Sequence, residues 1–572
     1  MLTSNPEVIE APPGPEYAPI EAALADLDRG RRAIGWRSVA GRIQLAEACA
    51  ERLQRVARDW VDVACREKGV AGNKSARAEE IVTGPMATMR YLRLLTRSLR
   101  EVELHGHPLP PKVIIDPEGR LRVRVFPCPG LFDRLLLWEF QADAWMEPGV
   151  TTDSLWSTLR DRLGSTWPEA PISLVLGAGN NSCIPAIDSL ERIIERGQVV
   201  LLKLNPVNNY LGPIYEQAFS PLIEVGGLRI IRGGADVGAA AMAHPEIDDV
   251  HLTGSLKTYK RIVWGGSDDE RSRRQRDHAP ILRKPLTCEL GNVTPWILTP
   301  GPYSHRQLMA QADTVAAALT ANAGFNCVTP RVLVTWRRWN DQPQFLDLLQ
   351  HTLDSIPRRP AYYPNALENY RGATGSSAEL GPDGSLPWTV LRDVDPAAMP
   401  GYFASECFTN VCVEVAIDAA SEQHFLDQAV DFVNEKLWGN LAAAITIHPE
   451  CRWPEPHERR LQSCLKRLKH TAIAINQSPG VIFWMMSAPW GGSAQATLSD
   501  PQSGIGKAHG TLLLDRVEKT VLEGPLVVHP NPFWLPSHPD PEPVAWRLLE
   551  LYHDPSVWHL ANMLTAACHH PS

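Results

Sequence analysis

Apolar positions recur every three to four residues through much of 36–105, most clearly in LAEACAERLQRVARDWVDVACREKG. That period predicts two or three amphipathic helices. The period then drops to two. In VIIDPEGRLRVRVF (113–126), Leu121, Val123 and Val125 alternate with Arg120, Arg122 and Arg124. This reads as a strand, with Asp116-Pro117-Glu118-Gly119 as a hairpin turn. The arginine face would suit an anion, or it is solvated or covered by a partner. From 171, short apolar runs (ISLVLG, VVLLKL, LRIIRGG, DDVHLTG) alternate with helical patterns such as AIDSLERIIERG and ADVGAAAMAH. Strands separated by helices predict βαβ units and a parallel sheet, which binds ligands at its carboxyl ends.

GGSDDERSRRQRDHAP (265–280) has no apolar face and reads as an exposed loop. A second α/β stretch runs from about 293 to 480. In its helix RQLMAQADTVAAALTAN, Leu308, Ala312, Val315 and Leu319 share one face. The tail from 525 is proline-rich and ends in a short amphipathic helix, packed on the body or on a partner subunit. Residues 1–20 read as a flexible arm, and His569 and His570 as a metal pair or, more simply, a loose end.

Composition narrows the function. The 572 residues are 44% hydrophobic and 21% charged, with net charge −9. These are globular values, and the acidic balance argues against nucleic-acid binding. The start lacks a basic and an apolar signal region, and no run approaches a membrane span, so cytoplasmic residence is expected. The 11 cysteines show no C-x-x-C pair and no zinc spacing. That disfavours a disulfide framework and leaves room for a single reactive thiol.

Three stretches could carry chemistry. LVLGAGNNS (174–182) has a strand followed by Gly177-x-Gly179, but Ser182 replaces the third glycine of a dinucleotide fingerprint, and the next strand ends in Lys203 rather than an acid. NAGFNC (322–327) sets Cys327 after a glycine-bearing turn; taken alone, a buried apolar cysteine is as good a reading. CELGNVTP (288–295) sets Glu289 in apolar surroundings, which would raise its pKa toward that of a general base; a salt-bridged acid fits equally.

In order, these pieces resemble the aldehyde dehydrogenase superfamily over roughly 36–525, as a divergent member. The resemblance implies an α/β fold with two parallel-sheet domains and a small β oligomerisation element. On that frame 1–110 forms an arm and helices of the cofactor domain, 111–127 the hairpin of the oligomerisation element, and 128–170 an insertion. The cofactor-binding core is 171–292 and the catalytic domain 293–492. The segment 493–525 contains the oligomerisation strand (LLLDRVEKTV), and 526–572 is the proline-rich tail. The resemblance implies Cys327 as nucleophile, Glu289 as general base and Asn180 as oxyanion donor, which retires the dinucleotide reading of LGAGNN. It places Lys203 at the adenosine ribose, Gly254 and Ser255 at the diphosphate, and Glu406 and Phe408 (in SECF) at the nicotinamide ribose of NAD or NADP. Arg331 follows the nucleophile as usual, and NEKLWGNLAAAI, APWGG and SGIG resemble later motifs. A homodimer or homotetramer is implied.

The sequence departs from the pattern at four places. Lys203-Leu204-Asn205-Pro206 lacks the acid that would repel a 2′-phosphate, so NADP stands beside NAD. Tyr259 replaces a glycine and would crowd the diphosphate. Asn292 replaces the second glycine of Glu-Leu-Gly-Gly. Insertions occur at about 128–165, 264–280 and 493–502. The first is rich in Leu, Phe and Trp; it would cap the substrate tunnel for a large apolar aldehyde, or pack against the hairpin or a neighbouring subunit. The expected activity is NAD(P)-dependent oxidation of an aldehyde to an acid through a cysteine thiohemiacetal and thioester. The alternatives are a CoA-acylating dehydrogenase or acyl-CoA reductase, which Glu289 disfavours, and a non-catalytic scaffold, which Tyr259 and Pro206 motivate.

Overall fold

The computed structural model describes residues 18–33, 35–163, 168–452, 455 and 457–568. Four helices come first: α1 (Ala18–Arg32), α2 (Val39–Glu67), α3 (Lys74–Ile81) and α4 (Ala87–His105). In α2 the buried Ala46, Cys49, Leu53, Ala57, Trp60 and Ala64 form one stripe at helical spacing. Ser38 caps its start, accepting the Gly41 amide at 3.0 Å. The expected arm is shorter than 20 residues, because residue 18 already opens α1; 1–17 lie outside the described residues, as do His569 and His570.

The hairpin forms as expected. β1 (Lys112–Ile115) and β2 (Leu121–Phe126) pair antiparallel, and Leu121, Val123 and Val125 are buried. Its arginine face meets this chain's own groups. Arg120 pairs with Glu518, Arg122 with Asp116 at 3.0 Å, and Arg124 with Asp143. Arg122 also lies 4.0 Å from the centre of the Trp145 ring. The charges expected to meet an anion, solvent or a partner are therefore matched within the fold. Next, β3 (Gln141–Met146) joins β2 antiparallel.

The run from 171 gives β4 (Ile172–Leu176), α5 (Ile184–Leu190), β5 (Val199–Lys203), β6 (Leu228–Ile231), α6 (Ala235–Ala243), β7 (Asp249–Gly254), α7 (Leu256–Trp264) and β8 (Leu286–Leu290). These five strands form a parallel sheet in the order β8-β7-β4-β5-β6, with Gly504–Ile505 added antiparallel beside β8. Between α7 and β8 the expected loop is partly a helix, α8 (Asp268–Arg276). No residue of α8 is buried, so apolar periodicity could not announce it. Local terms hold it: Ser267 caps it at 3.2 Å, Asp268, Asp269 and Glu270 fill the first turn, three arginines fill the last, and Arg274 bonds Glu270 one turn back at 3.0 Å.

The second sheet adds β9 (Thr294–Leu298), α9 (His305–Thr320), β10 (Pro330–Trp336), β11 (Thr389–Leu391), β12 (Val411–Ile417), β13 (Ala442–Thr446), β14 (Ala472–Ile475) and β15 (Val517–Glu523). Its order is β1-β2-β3-β15-β14-β13-β9-β10-β12-β11. The small β element is continuous with this sheet. β15 is paired on both edges within the chain, parallel to β14 and antiparallel to β3, and the outer edge belongs to β1. Two apolar cores follow, one around the first sheet and the N-terminal helices, one around the second sheet. The tail ends in α10 (Pro541–His553) and α11 (Val557–Cys568); α10 is tied to α3 by Lys74–Asp540 at 3.1 Å and Arg77–Glu542 at 2.9 Å. No described helix is long and apolar enough to cross a membrane.

Candidate active site

Cys327 lies in the turn that joins α9 to β10. The turn needs three successive left-handed residues, Asn322 (φ 50°), Ala323 (φ 55°) and Gly324 (φ 82°). Two of these are not glycine, so the turn is strained and must be held from outside. Asn322 is the main tie. Its backbone N–H donates to Glu79, and its side-chain amide lies 3.3 Å from both the Asn180 and Phe325 carbonyls. Its Oδ1 accepts from Lys68 at 3.2 Å and from the Tyr362 hydroxyl at 2.9 Å. Lys68 is itself buried, paired with Glu80, and donates to the Asn180 carbonyl at 3.1 Å. One buried cation thus joins the Asn180 loop to the Cys327 turn.

Glu289 stands near the carboxyl end of β8, with Cys327 Sγ 3.7 Å from its Oε1. The same oxygen accepts Trp490 Nε1–H at 2.7 Å, while Oε2 is buried without a partner. Burial pushes the Glu289 carboxyl above the usual range, and the nearby His509 and the Trp490 hydrogen bond pull only partly against it. Enclosure by protein, then the charges of Glu289 and Glu406, push the Cys327 thiol well above the usual thiol range. The thiol and the carboxyl lie within hydrogen-bond reach, so a proton has a short path from S to O.

Asn180 is tied to the turn before the cysteine, donating Nδ2–H to the Phe325 carbonyl at 3.0 Å. That leaves one amide hydrogen uncommitted. Its neighbour Asn181 lines a cavity of about 320 Å³ together with Cys327, Glu289 and Asn326. The cavity falls in the usual size range of small-molecule sites. The Gly177–Gly179 turn serves packing: Gly177 N–H donates to the Lys203 carbonyl at 3.1 Å, and a Cβ on Gly179 would press on Asn205 at 2.8 Å.

Two of the residues expected at the cofactor, Lys203 and Gly254, lie at strand ends of the first sheet. Lys203 ends β5, nearly buried; burial lowers its pKa, and Asp236 at the start of α6 opposes that. A carboxylate therefore stands near Lys203 although Pro206 replaces the expected acid. Gly254 ends β7, and Ser255 caps α7, accepting the Thr258 amide at 3.2 Å, so the helix presents its positive end there. Glu406 lies 3.8 Å from Arg331; burial lifts its pKa to about 7 against that pull. A Cβ at Gly291 would overlap the Glu406 carboxylate and displace it, so glycine after Glu-Leu lets Glu406 take this position. Phe408, at φ 42°, packs on Tyr363 and Phe325 with ring centres 4.9 and 6.0 Å apart.

Two of the departures are tied into the fold. The Tyr259 ring is fully buried and its hydroxyl donates to the Leu498 carbonyl at 2.8 Å, anchoring the 493–502 insertion. Asn292 is fully buried and donates to the Ala442 carbonyl at 2.9 Å. Sequence reasoning missed Lys68, Glu80, Tyr362 and the role of Trp490. Lys68 closes α2 just before Gly69, where a solvated lysine is the ordinary case; its burial depends on loops more than 100 residues away. Trp490 lies in the APWGG motif, which marked the place and not the contact.

Two sheets with flanking helices, one sheet joined to an antiparallel β extension, with a cysteine–glutamate pair beside a cavity, make up a fold shared with solved aldehyde dehydrogenases. Residues 201–362 match the aldehyde dehydrogenase family model. Aldehyde dehydrogenase LUC3 of Fusarium sp is 26% identical over 152 residues, which spans 26% of this chain and only 28% of that protein. The NAD-dependent aldehyde dehydrogenase of Sinorhizobium meliloti superposes with a TM-score of 0.57 at 17% identity, covering 88% of this chain and 86% of that one. Staphylococcus aureus AldH in a substrate-bound state gives 0.55 at 14% identity, covering 88% and 93%. The NADP-dependent glyceraldehyde-3-phosphate dehydrogenase of Bacillus halodurans, complexed with NADP, gives 0.53 at 15% identity, covering 88% and 91%. At such identities these structures share the fold. The match to the family model covers residues 201–362, and the shared fold extends over 88% of the chain.

Proposed function

We propose that the protein oxidises an aldehyde to a carboxylic acid, with NAD or NADP as hydride acceptor. The observation that carries this is the Cys327 thiol 3.7 Å from the buried Glu289 carboxylate at the wall of the cavity. Glu289 takes the thiol proton, and the thiolate attacks the aldehyde carbon to give a thiohemiacetal. The uncommitted hydrogen of the Asn180 amide and the Cys327 backbone N–H are the donors for its oxyanion, a pairing that the family resemblance supplies; such a donor is worth about 3–4 kcal/mol of barrier. A bound nicotinamide would supply the acceptor for the hydride that leaves the thiohemiacetal carbon as the thioester forms on Cys327. Glu289, held by Trp490, passes the thiol proton to solvent and then deprotonates the water that releases the acid, and the proton it gains returns to the departing thiolate.

The residues present fit such a cofactor. Glu406 Oε1 is buried without a hydrogen-bond partner, as expected of a group that awaits ribose hydroxyls. Lys203 would meet the adenosine ribose, and Gly254 and Ser255 at the start of α7 the diphosphate. Phe408 holds the loop that carries Glu406. Assembly as a homodimer or homotetramer is part of the same reading, and β1 offers the unpaired strand edge for it.

The test is stoichiometry. With an aldehyde and NAD or NADP, without CoA, one equivalent of acid is expected per equivalent of reduced cofactor. Turnover that requires CoA and forms no acid would overturn hydrolysis in favour of acyl transfer. Binding of neither NAD nor NADP in calorimetric titration would overturn the enzyme reading in favour of a scaffold.

A pH profile gives a second check. The base works only when ionised, and burial raises its pKa, so activity falls as pH drops through that raised value. The acidic limb of kcat/KM should lie above the ordinary glutamate value of about 4.3, and should vanish from the residual activity of Glu289→Gln. A limb at or below the ordinary value would remove Glu289 as the base.

A further inference from the structure

The far wall of the cavity comes from two segments that the sequence left open. Leu137 of the 128–170 insertion lines it, as do Phe483 and Trp484, and so do Phe533, Trp534 and Leu535 of the proline-rich tail. We propose that this wall receives the hydrocarbon part of a bulky or long-chain apolar aldehyde, and that 533–535 of the tail determines specificity. The proposal rests on aldehyde oxidation at Cys327 and names its substrate class.

Three observations carry it. Phe533, Trp534 and Leu535 are only half-buried although the chain folds back to place them on this cavity. Their free faces are apolar surface that a hydrocarbon chain would cover. The wall is fixed before any ligand arrives: the Trp534 ring meets Phe140 of the insertion at 6.4 Å and Phe533 at 5.4 Å, both edge to face. Just beyond it, the tail is pinned by the Lys74–Asp540 and Arg77–Glu542 ion pairs. Finally, Arg359, the arginine on the cavity wall, is matched by Glu79 at 2.7 Å. An aldehyde with its own carboxylate or phosphate would meet there a charge that Glu79 already counters.

The experiment compares acetaldehyde, hexanal, decanal and succinic semialdehyde. Each methylene removed from water is worth about fourfold in affinity. In the parent, kcat/KM should therefore rise with chain length, with decanal exceeding acetaldehyde by at least about a hundredfold, chiefly through KM. Trp534→Ala should cut the decanal-to-acetaldehyde ratio at least about tenfold. Leu535→Trp, which fills the space, should move the optimum to a shorter chain and keeps the test alive if Trp534→Ala fails to fold. Binding of 1-decanol, followed by quenching of tryptophan emission, reads the wall without turnover. Quenching that depends on Trp534 in a protein that oxidises no aldehyde would sink the reaction and keep the apolar site. Turnover with a flat chain-length profile, or a preference for succinic semialdehyde, would keep the reaction and overturn the proposal.

Discussion

Cys327→Ala should form no measurable NADH or NADPH from any aldehyde, a loss of at least about 10⁴-fold, as removal of a covalent nucleophile generally brings. The contrast with Glu289→Gln makes the prediction specific. Glutamine keeps an oxygen that can accept the Trp490 N–H, so the pocket keeps its shape. It cannot take a proton. The thiolate then forms only as fast as solvent removes the proton, and the thioester waits for water without a base. The expected signature is a burst of no more than one equivalent of reduced cofactor per site, followed by steady turnover slowed about 10²–10⁴-fold. Cys327→Ala gives no burst. Rapid mixing with an absorbance readout separates the two variants, and an undiminished rate in Cys327→Ala would remove the thiol from the chemistry. Neither variant should unfold, because Cys327 is half-buried at a cavity and its side chain makes a single long hydrogen bond, to Glu289, whose glutamine replacement keeps an acceptor for Trp490.

How much of this could be read from the sequence depended on range. The βαβ run from 171 was legible because each strand is an apolar run bounded by turn residues, which is a local property. Cys327, Glu289, Asn180 and Glu406 were legible only as an ordered set, since each alone has a structural reading. Helix α8 was missed because it has no buried face, and its capping serine and i,i+4 arginine–glutamate pair are weaker signals than a hydrophobic stripe. The burial of Tyr259 was not legible, because its hydroxyl meets the Leu498 carbonyl, 239 residues away. Lys68 and Glu80 look like two charges on amphipathic helices, and only the packing of the Asn180 loop over them makes them a buried pair. The tail could not be placed on the cavity at all, because the contact between Phe140 and Trp534 is made in the tertiary fold.

The largest structural effect should come from a residue remote from the chemistry. Arg90 on α4 is fully buried, and its guanidinium forms a two-pronged pair with Asp133 of the insertion at 2.9 and 2.7 Å. Its Nε donates to the Met485 carbonyl at 3.0 Å. The rings of Trp484 on the cavity wall and Tyr552 on α10 each lie 5.1 Å from the guanidinium carbon. One cation therefore joins the insertion, the cavity wall and the tail. Arg90→Met keeps much of the volume and leaves the Asp133 carboxylate buried without a counter-charge, which costs about 3–5 kcal/mol. A lower melting temperature is expected, with faster proteolytic release of the segment after 525, because α10 loses one of its buried contacts, that of Tyr552 with Arg90. Replacing both partners with apolar residues, Arg90→Met with Asp133→Leu, should recover part of that stability, since two matched apolar groups carry no stranded charge. If the double variant is no better than the single one, the pair's charge is not what the fold depends on there. The same coupling reaches function: loosening Trp484 and the tail together should weaken decanal more than acetaldehyde in Arg90→Met, whereas a merely global loss of folded protein would lower both rates in equal proportion.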